Sequence, residues 1–337
     1  MNKSKRVLNG GVVGYGGAFN MGAHHANCMK EAGFNFAAAC DIDPKRTVQA
    51  KKDFPSIKVY NDVAKFAADP DIDLAVVILP HNLHAPVARK LLAAKKHVIV
   101  EKPFTITSGE ATDLINLARK NKRMLSVFHN RRWDTDFVTI KKAVDSGLIG
   151  KVFQLEFTMA SYGHPGYWWR SDKKISGGAL YDWGAHLLDW TLNLIKAPVE
   201  SVYGNFQKRV WKDITNEDHV QTIVNFKNKA KAIIEISSIA SVPRQMWRIL
   251  GTGGGIGCNG FENIPISVTS FCDGRNWVTQ VPKEKVGPNP YYRNIAAHLY
   301  RGAKLEITAE HARRIIEIIT SAEKSSKTGK LVRVKYN

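Results

Sequence analysis

The chain has 337 residues, 44% of them hydrophobic, so it is long for one domain and rich enough to bury two cores. No apolar run reaches the eighteen or so residues of a membrane span, and the basic start Met1 to Arg6 leads straight into a strand. A cytoplasmic protein with no signal peptide and no membrane partner is expected. The net charge of +19 is spread along the sequence without a nucleic-acid module, which reads as solvated surface, mildly attractive to anionic cofactors or substrates and not a nucleic-acid face.

Continuous apolar runs at Arg6 to Gly14, Phe36 to Cys40, Leu74 to Leu79, His97 to Val100 and Met124 to Phe128 alternate with helix-like segments. Those segments are Gly22 to Ala32, Lys45 to Asp53, Ala85 to Ala94 and Gly109 to Asn121. Buried strands alternating with amphipathic helices predict an α/β, doubly wound parallel sheet of the Rossmann type over residues 1–128. The first turn carries its chemistry. Gly14 allows a tight turn, and Gly16 lets backbone N–H groups approach a pyrophosphate at a helix N-terminus. A third glycine usually follows three residues later, but here Gly17, Ala18, Phe19, Asn20 and Met21 intervene before Gly22. Gly14 to Gly22, Tyr15 included, is therefore a lengthened candidate phosphate loop.

Asp41 closes the second strand, nineteen residues after Gly22, where a carboxylate accepts both ribose hydroxyls and favours NAD. Lys45 and Arg46 follow closely and could pair with a 2′-phosphate, so NADP stays possible. The run ending at Leu79 is followed by Pro80, His81, Asn82, Leu83 and His84, at the carboxyl edge where such sheets bind ligands. Leu79, Asn82 and His84 are cofactor-contact candidates, as are Glu101 and Lys102 after the run His97 to Val100.

After Phe128 the pattern changes, and residues 129–337 are expected to form one α+β domain for substrate and oligomerisation. A helix over Phe137 to Ser146 is followed by alternating strands from Lys151 to Val281. They predict a large, mostly antiparallel sheet, open on one face, with helices on the other. A closing helix from Ala309 to about Ser325 and a short strand, Leu331 to Val334, end the chain. Cys28, Cys40, Cys258 and Cys272 lack metal-like spacing and read as reduced residues, with no metal site.

Within that domain the run Gly177 to His186 places Asp182 and His186 four residues apart, on one face of a helix. With Lys102, delivered by a separate strand, they can remove a proton from an alcohol while hydride leaves its carbon. Tyr162, His164, Tyr167, Trp168 and Arg170 just upstream offer aromatic platforms and donors for a polyhydroxylated ring.

The glycine-rich turn, the Glu101-Lys102-Pro103 strand end and the Gly-Gly-x-x-x-Asp-x-Gly-x-His run ending at His186 resemble those of the glucose–fructose oxidoreductase, inositol dehydrogenase and rhizopine-catabolism (Gfo/Idh/MocA) oxidoreductases. The resemblance covers nearly the whole chain. It implies that Lys102, Asp182 and His186 are the catalytic triad, and that Arg131 lies near cofactor and substrate. It also implies a family Trp-Arg pair at Trp169-Arg170 and an acidic position at Asp189. A homodimer or homotetramer acting on a sugar or polyol follows from it, with the longer loop Gly17 to Met21 as a departure. Rival expectations are an NAD-dependent glycosidase using transient sugar oxidation, a non-catalytic sugar sensor, and a nucleotide-sugar reductase.

Overall fold

Six short strands build the first sheet: β1 (Asn9–Val13), β2 (Asn35–Cys40), β3 (Lys58–Tyr60), β4 (Leu74–Val77), β5 (His97–Val100) and β6 (Leu125–Val127). The structure, a computed structural model, describes residues 6–16, 19–242, 244–261 and 264–336. The strands pair in parallel in the order β3-β2-β1-β4-β5-β6. Helices α1 (Met21–Glu31), α2 (Pro44–Asp53), α3 (Val63–Ala68), α4 (His84–Ala93) and α5 (Ser108–Lys120) connect them. β4 is buried along its whole length, as a central parallel strand covered on both faces must be. The short β3 and α3 had no run long enough to register as periodicity.

Local chemistry sets the helix starts. Asp43 caps α2 through Lys45 N, with Pro44 at the first helical position. Thr107 and Glu110 form a reciprocal capping box at α5: Glu110 N donates to Thr107 Oγ1 at 3.2 Å, and Thr107 N to Glu110 Oε2 at 2.9 Å. Thr107→Ala is expected to cost about 1 kcal/mol, read as a lower urea midpoint with an unchanged slope.

The second sheet has nine strands: β7 (Val152–Ala160), β8 (Val199–Gln207), β9 (His219–Phe226), β10 (Lys231–Ser237), β11 (Trp247–Gly251), β12 (Gly254–Cys258), β13 (Ile266–Cys272), β14 (Arg275–Val281) and β15 (Val332–Arg333). Their order is β14-β13-β12-β11-β7-β10-β9-β8-β15, antiparallel except for the parallel pair β7 and β10. α6 (Thr135–Asp145), the single turn α7 (Lys173–Ser176) and α8 (Trp183–Leu194) lie between Phe128 and β8. α8 packs on β7 and β10. Trp190 of α8 and Trp247 of β11 are fully buried, their rings 4.6 Å apart, and Phe157 meets Trp247 edge-on at 4.7 Å.

Two later helices are α9 (Pro290–Arg301) and α10 (Ala309–Thr328). The chain gathers into two compact units, one running to Phe128 and including Gly287–Arg313, the other holding His129–Val286 and Arg314 onward. The tail thus departs from one continuous stretch, because α9 is tied to the first unit. Tyr291 donates to Ser126 Oγ at 2.9 Å, and its ring meets Phe128 at 4.8 Å. No described helix is long and apolar enough to cross a membrane.

Candidate active site

The first unit gathers its candidates at the carboxyl ends of β1, β2, β4 and β5. Register aligns those ends, with Val13 opposite Cys40 and Val77, and Val77 opposite Val100. Gly14 has φ +95°, and a Cβ there would fall 1.9 Å from the Ile78 carbonyl oxygen. A Cβ on Gly22 would fall 2.4 Å from the Tyr15 oxygen, so Gly22 gives the close turn-to-helix packing that the third glycine of shorter loops provides. Asn20 holds the left-handed region (φ 49°) before Met21 opens α1, whose first turn carries no acidic residue. Phe19 is 61% exposed. Gly17 and Ala18 lie outside the described residues. A tight glycine turn running into a helix start free of carboxylates fits a dinucleotide pyrophosphate.

Two further residues shape the turn. Asp41 Oδ2 accepts Tyr15 N at 2.9 Å and Gly16 N at 3.3 Å. Tyr15 OH donates to Asp53 Oδ2 at 2.5 Å, and burial, then Asp53, raises the phenol's pKa.

Lys102 sits between two histidine-bound neighbours. Glu101 Oε1 pairs with His25 Nε2 at 2.9 Å, and Glu101 Oε2 accepts Lys102 N at 3.1 Å. His25 Nδ1 is 2.6 Å from Tyr292 OH. Burial pushes the Glu101 carboxyl up, but the His25 hydrogen bond and charge, then Lys102, outweigh it and hold it below its ordinary value. On the other side, His84 Nδ1 faces Pro103 O at 2.7 Å and Nε2 faces Leu79 O at 2.8 Å, with the ring fully buried and its pKa pulled down chiefly by that burial. Asn82 is exposed in the one-turn helix His81–Leu83.

The second unit carries the other candidates. Asp182 occupies the N-cap position of α8 without a side-chain cap hydrogen bond, one turn before His186. His186 is 5% exposed, its ring 5.8 Å from Trp183 and 6.2 Å from His129. Arg170 Nε lies 3.7 Å from Asp182 Oδ2, and its guanidinium stands over both Trp168 (4.7 Å) and Trp169 (4.4 Å). Arg131 pairs with Asp134 at 2.8 Å and stacks on Trp183 (4.7 Å) and Phe261 (5.0 Å). Asp189 holds Arg132 through a forked pair, Nε to Oδ2 at 2.8 Å and Nη2 to Oδ1 at 2.7 Å.

Arg131, Arg170 and Asp182 are thus linked through the Trp183 turn. His164 and Tyr167 instead share Asp213, with His164 Nε2 at 3.1 Å and the Tyr167 hydroxyl donating to the same oxygen. Tyr167 is 79% exposed. Sequence reasoning missed His25, Tyr292, Trp183, Phe261 and Asp213. Of these, His25 had a signal: it falls one turn into α1, on the face that also buries Gly22 and Met29. All four cysteines are free thiols, and burial pushes Cys28 up to about 11. Among the described residues no group of three His, Cys, Asp or Glu could hold a metal ion.

A parallel sheet with this glycine turn, in a chain that also builds a large mixed sheet, defines a dinucleotide-binding architecture. A family model described as an oxidoreductase family, NAD-binding Rossmann fold, matches residues 8–129, and one described as the GFO/IDH/MocA C-terminal domain matches residues 137–257. The scyllo-inositol 2-dehydrogenase (NADP(+)) IolW of Bacillus subtilis is 30% identical over 320 residues, covering 88% of each chain. The myo-inositol 2-dehydrogenase of Thermotoga maritima is 28% identical, covering 67% of each. An NAD-binding protein from Listeria innocua superposes with a TM-score of 0.88 at 26% identity, over 98% of this chain and 97% of that one. The chain belongs to the GFO/IDH/MocA family and is an NAD(P)-binding oxidoreductase.

Proposed function

We propose that the protein reversibly oxidises a secondary alcohol of a sugar or cyclitol, with Lys102, Asp182 and His186 as its acid–base groups. The observation that carries this reading is the turn from Asp182 to His186. A carboxylate at a helix start, unused as a cap, stands one turn before a buried histidine. Bound NAD(P) supplies the hydride acceptor. His186 takes the hydroxyl proton, and Asp182 orients the imidazole and stabilises its charged form. Lys102 donates to the same oxygen and steadies the charge that develops there.

In the second unit, Arg131, Arg170 and Trp169 offer donors and a flat apolar surface of the kind a ring bearing many hydroxyls requires. His164 and Tyr167, which share Asp213, offer further polar groups to such a ring. The names of the two inositol dehydrogenase relatives support a cyclitol or sugar substrate.

The test is nicotinamide absorbance with NAD and with NADP against a panel of inositols, free sugars and glycosides. Reduction with one polyol class is the expected result. Aglycone release from a glycoside without net reduction would replace the reading by a transient-oxidation glycosidase, and inactivity across the panel with tight sugar binding would replace it by a sensor.

A further inference from the structure

Arg170 and Asp182 face each other at 3.7 Å, Nε to Oδ2, longer than a charged hydrogen bond. The chain between them does little to fix that spacing. It passes through Gly177 at φ +87° and Gly178 at φ +128°, where glycine has most freedom to lose. Both arms of the loop are held instead from outside it.

The hold comes from Asn216 and Glu217, just before β9. Asn216 is 7% exposed, and both ends of its amide are used: Nδ2 donates to the Arg170 carbonyl at 2.5 Å, and Oδ1 accepts from Ser176 Oγ at 3.1 Å. Ser176 Oγ in turn accepts Gly178 N at 3.2 Å. The N–H groups of Thr215 and Asn216 add bonds of 3.2 and 3.3 Å to the Ser171 carbonyl. Glu217 takes the other arm. Its Oε2 accepts Ala179 N at 3.0 Å, in the first residue of the one-turn helix Ala179–Tyr181 that leads into Asp182. A Cβ on Gly178 would fall 2.9 Å from the same oxygen. Glu217 Oε1 pairs with Lys173 Nζ, which also reaches Glu323 of α10 at 2.9 Å. Only 9% of the Glu217 side chain is exposed, so water competes little for these bonds.

We propose that Asn216 and Glu217 are positioning residues of the reaction, holding the Arg170 and Asp182 arms apart so that the Asp182 carboxylate stays available to His186. The proposal rests on the acid–base reading of Asp182 and His186 and extends it to a segment outside their motif. Without the hold, guanidinium and carboxylate are free to close to the roughly 2.8 Å of a charged hydrogen bond. A carboxylate spent on Arg170 no longer orients the imidazole. A displacement of about 1 Å in such a group costs on the order of a hundredfold in rate.

The test is steady-state kinetics on the full chain, using whichever inositol, sugar or glycoside of the panel the wild type oxidises fastest. Asn216→Ala and Glu217→Ala should each lower kcat by about ten- to a hundredfold. KM and the dissociation constants of NADH and NADPH, read by nicotinamide fluorescence, should move less than about threefold, because neither residue is asked to bind a reactant. Glu217→Gln, whose carbonyl oxygen can still accept Ala179 N, should recover most of the loss. In an Asp182→Ala background, adding Glu217→Ala should cost less than about a further threefold, since the carboxylate it positions is gone. Should an alanine variant fail to fold, Asn216→Asp takes its place. It keeps the acceptor for Ser176 but sets a second acceptor against the Arg170 carbonyl, and the same loss of kcat is expected.

Wild-type kcat in the folded Asn216 and Glu217 variants would overturn the proposal. So would an undiminished effect of Glu217→Ala in the Asp182→Ala background, which would mean that the segment merely supports the fold around α8. No turnover by the wild type on any member of the panel would overturn the acid–base reading beneath it, an outcome distinct from the other two.

Discussion

Lys102→Ala and His186→Ala are each expected to lower kcat by roughly a hundred- to ten-thousandfold, the usual loss when an acid–base group is removed, while the nicotinamide cofactor still binds. The loss should fall on kcat more than on KM, because in the proposed reaction the groups act on a charge that exists only as the alcohol gives up its proton. Lys102→Arg separates two roles for the lysine. Arginine keeps the charge and can donate, but it does not give up a proton near neutrality. Partial activity in Lys102→Arg would identify charge stabilisation, and the full loss would identify proton relay. Near-wild-type turnover in both alanine variants, with folded protein and bound cofactor, would end the assignment.

The second large effect is expected at Asp218, whose side chain is fully buried at the start of β9. It takes Lys208 Nζ at 2.8 Å and the backbone N–H groups of Arg209 at 2.5 Å, Val210 at 2.6 Å and Trp211 at 3.3 Å. Burial pushes its carboxyl up, but Lys208 and the Val210 and Arg209 amides outweigh that and hold it below the ordinary carboxylate range. Asp218→Ala leaves those donors facing an empty site and should cost about 3–5 kcal/mol, the range for breaking a buried ion pair. Asp218→Asn keeps the shape and should cost about 1.5–3 kcal/mol.

The sign of the pH dependence follows. A depressed native pKa means that the ionised aspartate stabilises the fold fully above about pH 4, the unfolded carboxyl range. That stability is lost as pH falls through the lower native value. Urea unfolding at pH 7 and in steps below pH 4 should therefore show the wild-type advantage over Asp218→Asn shrinking with acid. An advantage independent of pH would show that shape, not charge, is what the site uses. The loop held by Asp218 carries Trp211, whose ring meets His164 at 5.1 Å and Tyr162 at 5.8 Å. Under the proposed function, loosening the loop should also raise KM for the substrate.

Legibility in the sequence follows residue by residue from how local the determining physics is. The apolar run Leu74 to Val77 declares itself as a strand because a strand covered on both faces needs no polar residue. Lys58–Tyr60 does not, since three partly exposed residues at a sheet edge carry no period. The turn from Asp182 to His186 could be read from four-residue spacing alone, whereas its neighbours Phe261 and Trp183 meet Arg131 only after a long stretch of chain has folded back. α9 went unread although Tyr291, Tyr292, Ile295 and Ala296 form one buried face, because its opening Pro290 follows a segment rich in turn residues. Asp41 shows a contact that spacing does not carry: its place at the end of β2 is legible in the sequence, while its hydrogen bonds from the amides of Tyr15 and Gly16 depend on the conformation of another loop.

His84 has a mechanical consequence. Both of its ring nitrogens face carbonyl oxygens, Pro103 on one side and Leu79 on the other, neither of which can donate. Burial favours the uncharged ring, which owns a single N–H. One proton is thus asked to latch two loop ends at once, the one that follows β4 and the one that carries Lys102. Whichever nitrogen carries the proton can bond only its own carbonyl, so the tautomer of this one ring decides which of the two loop ends it ties down.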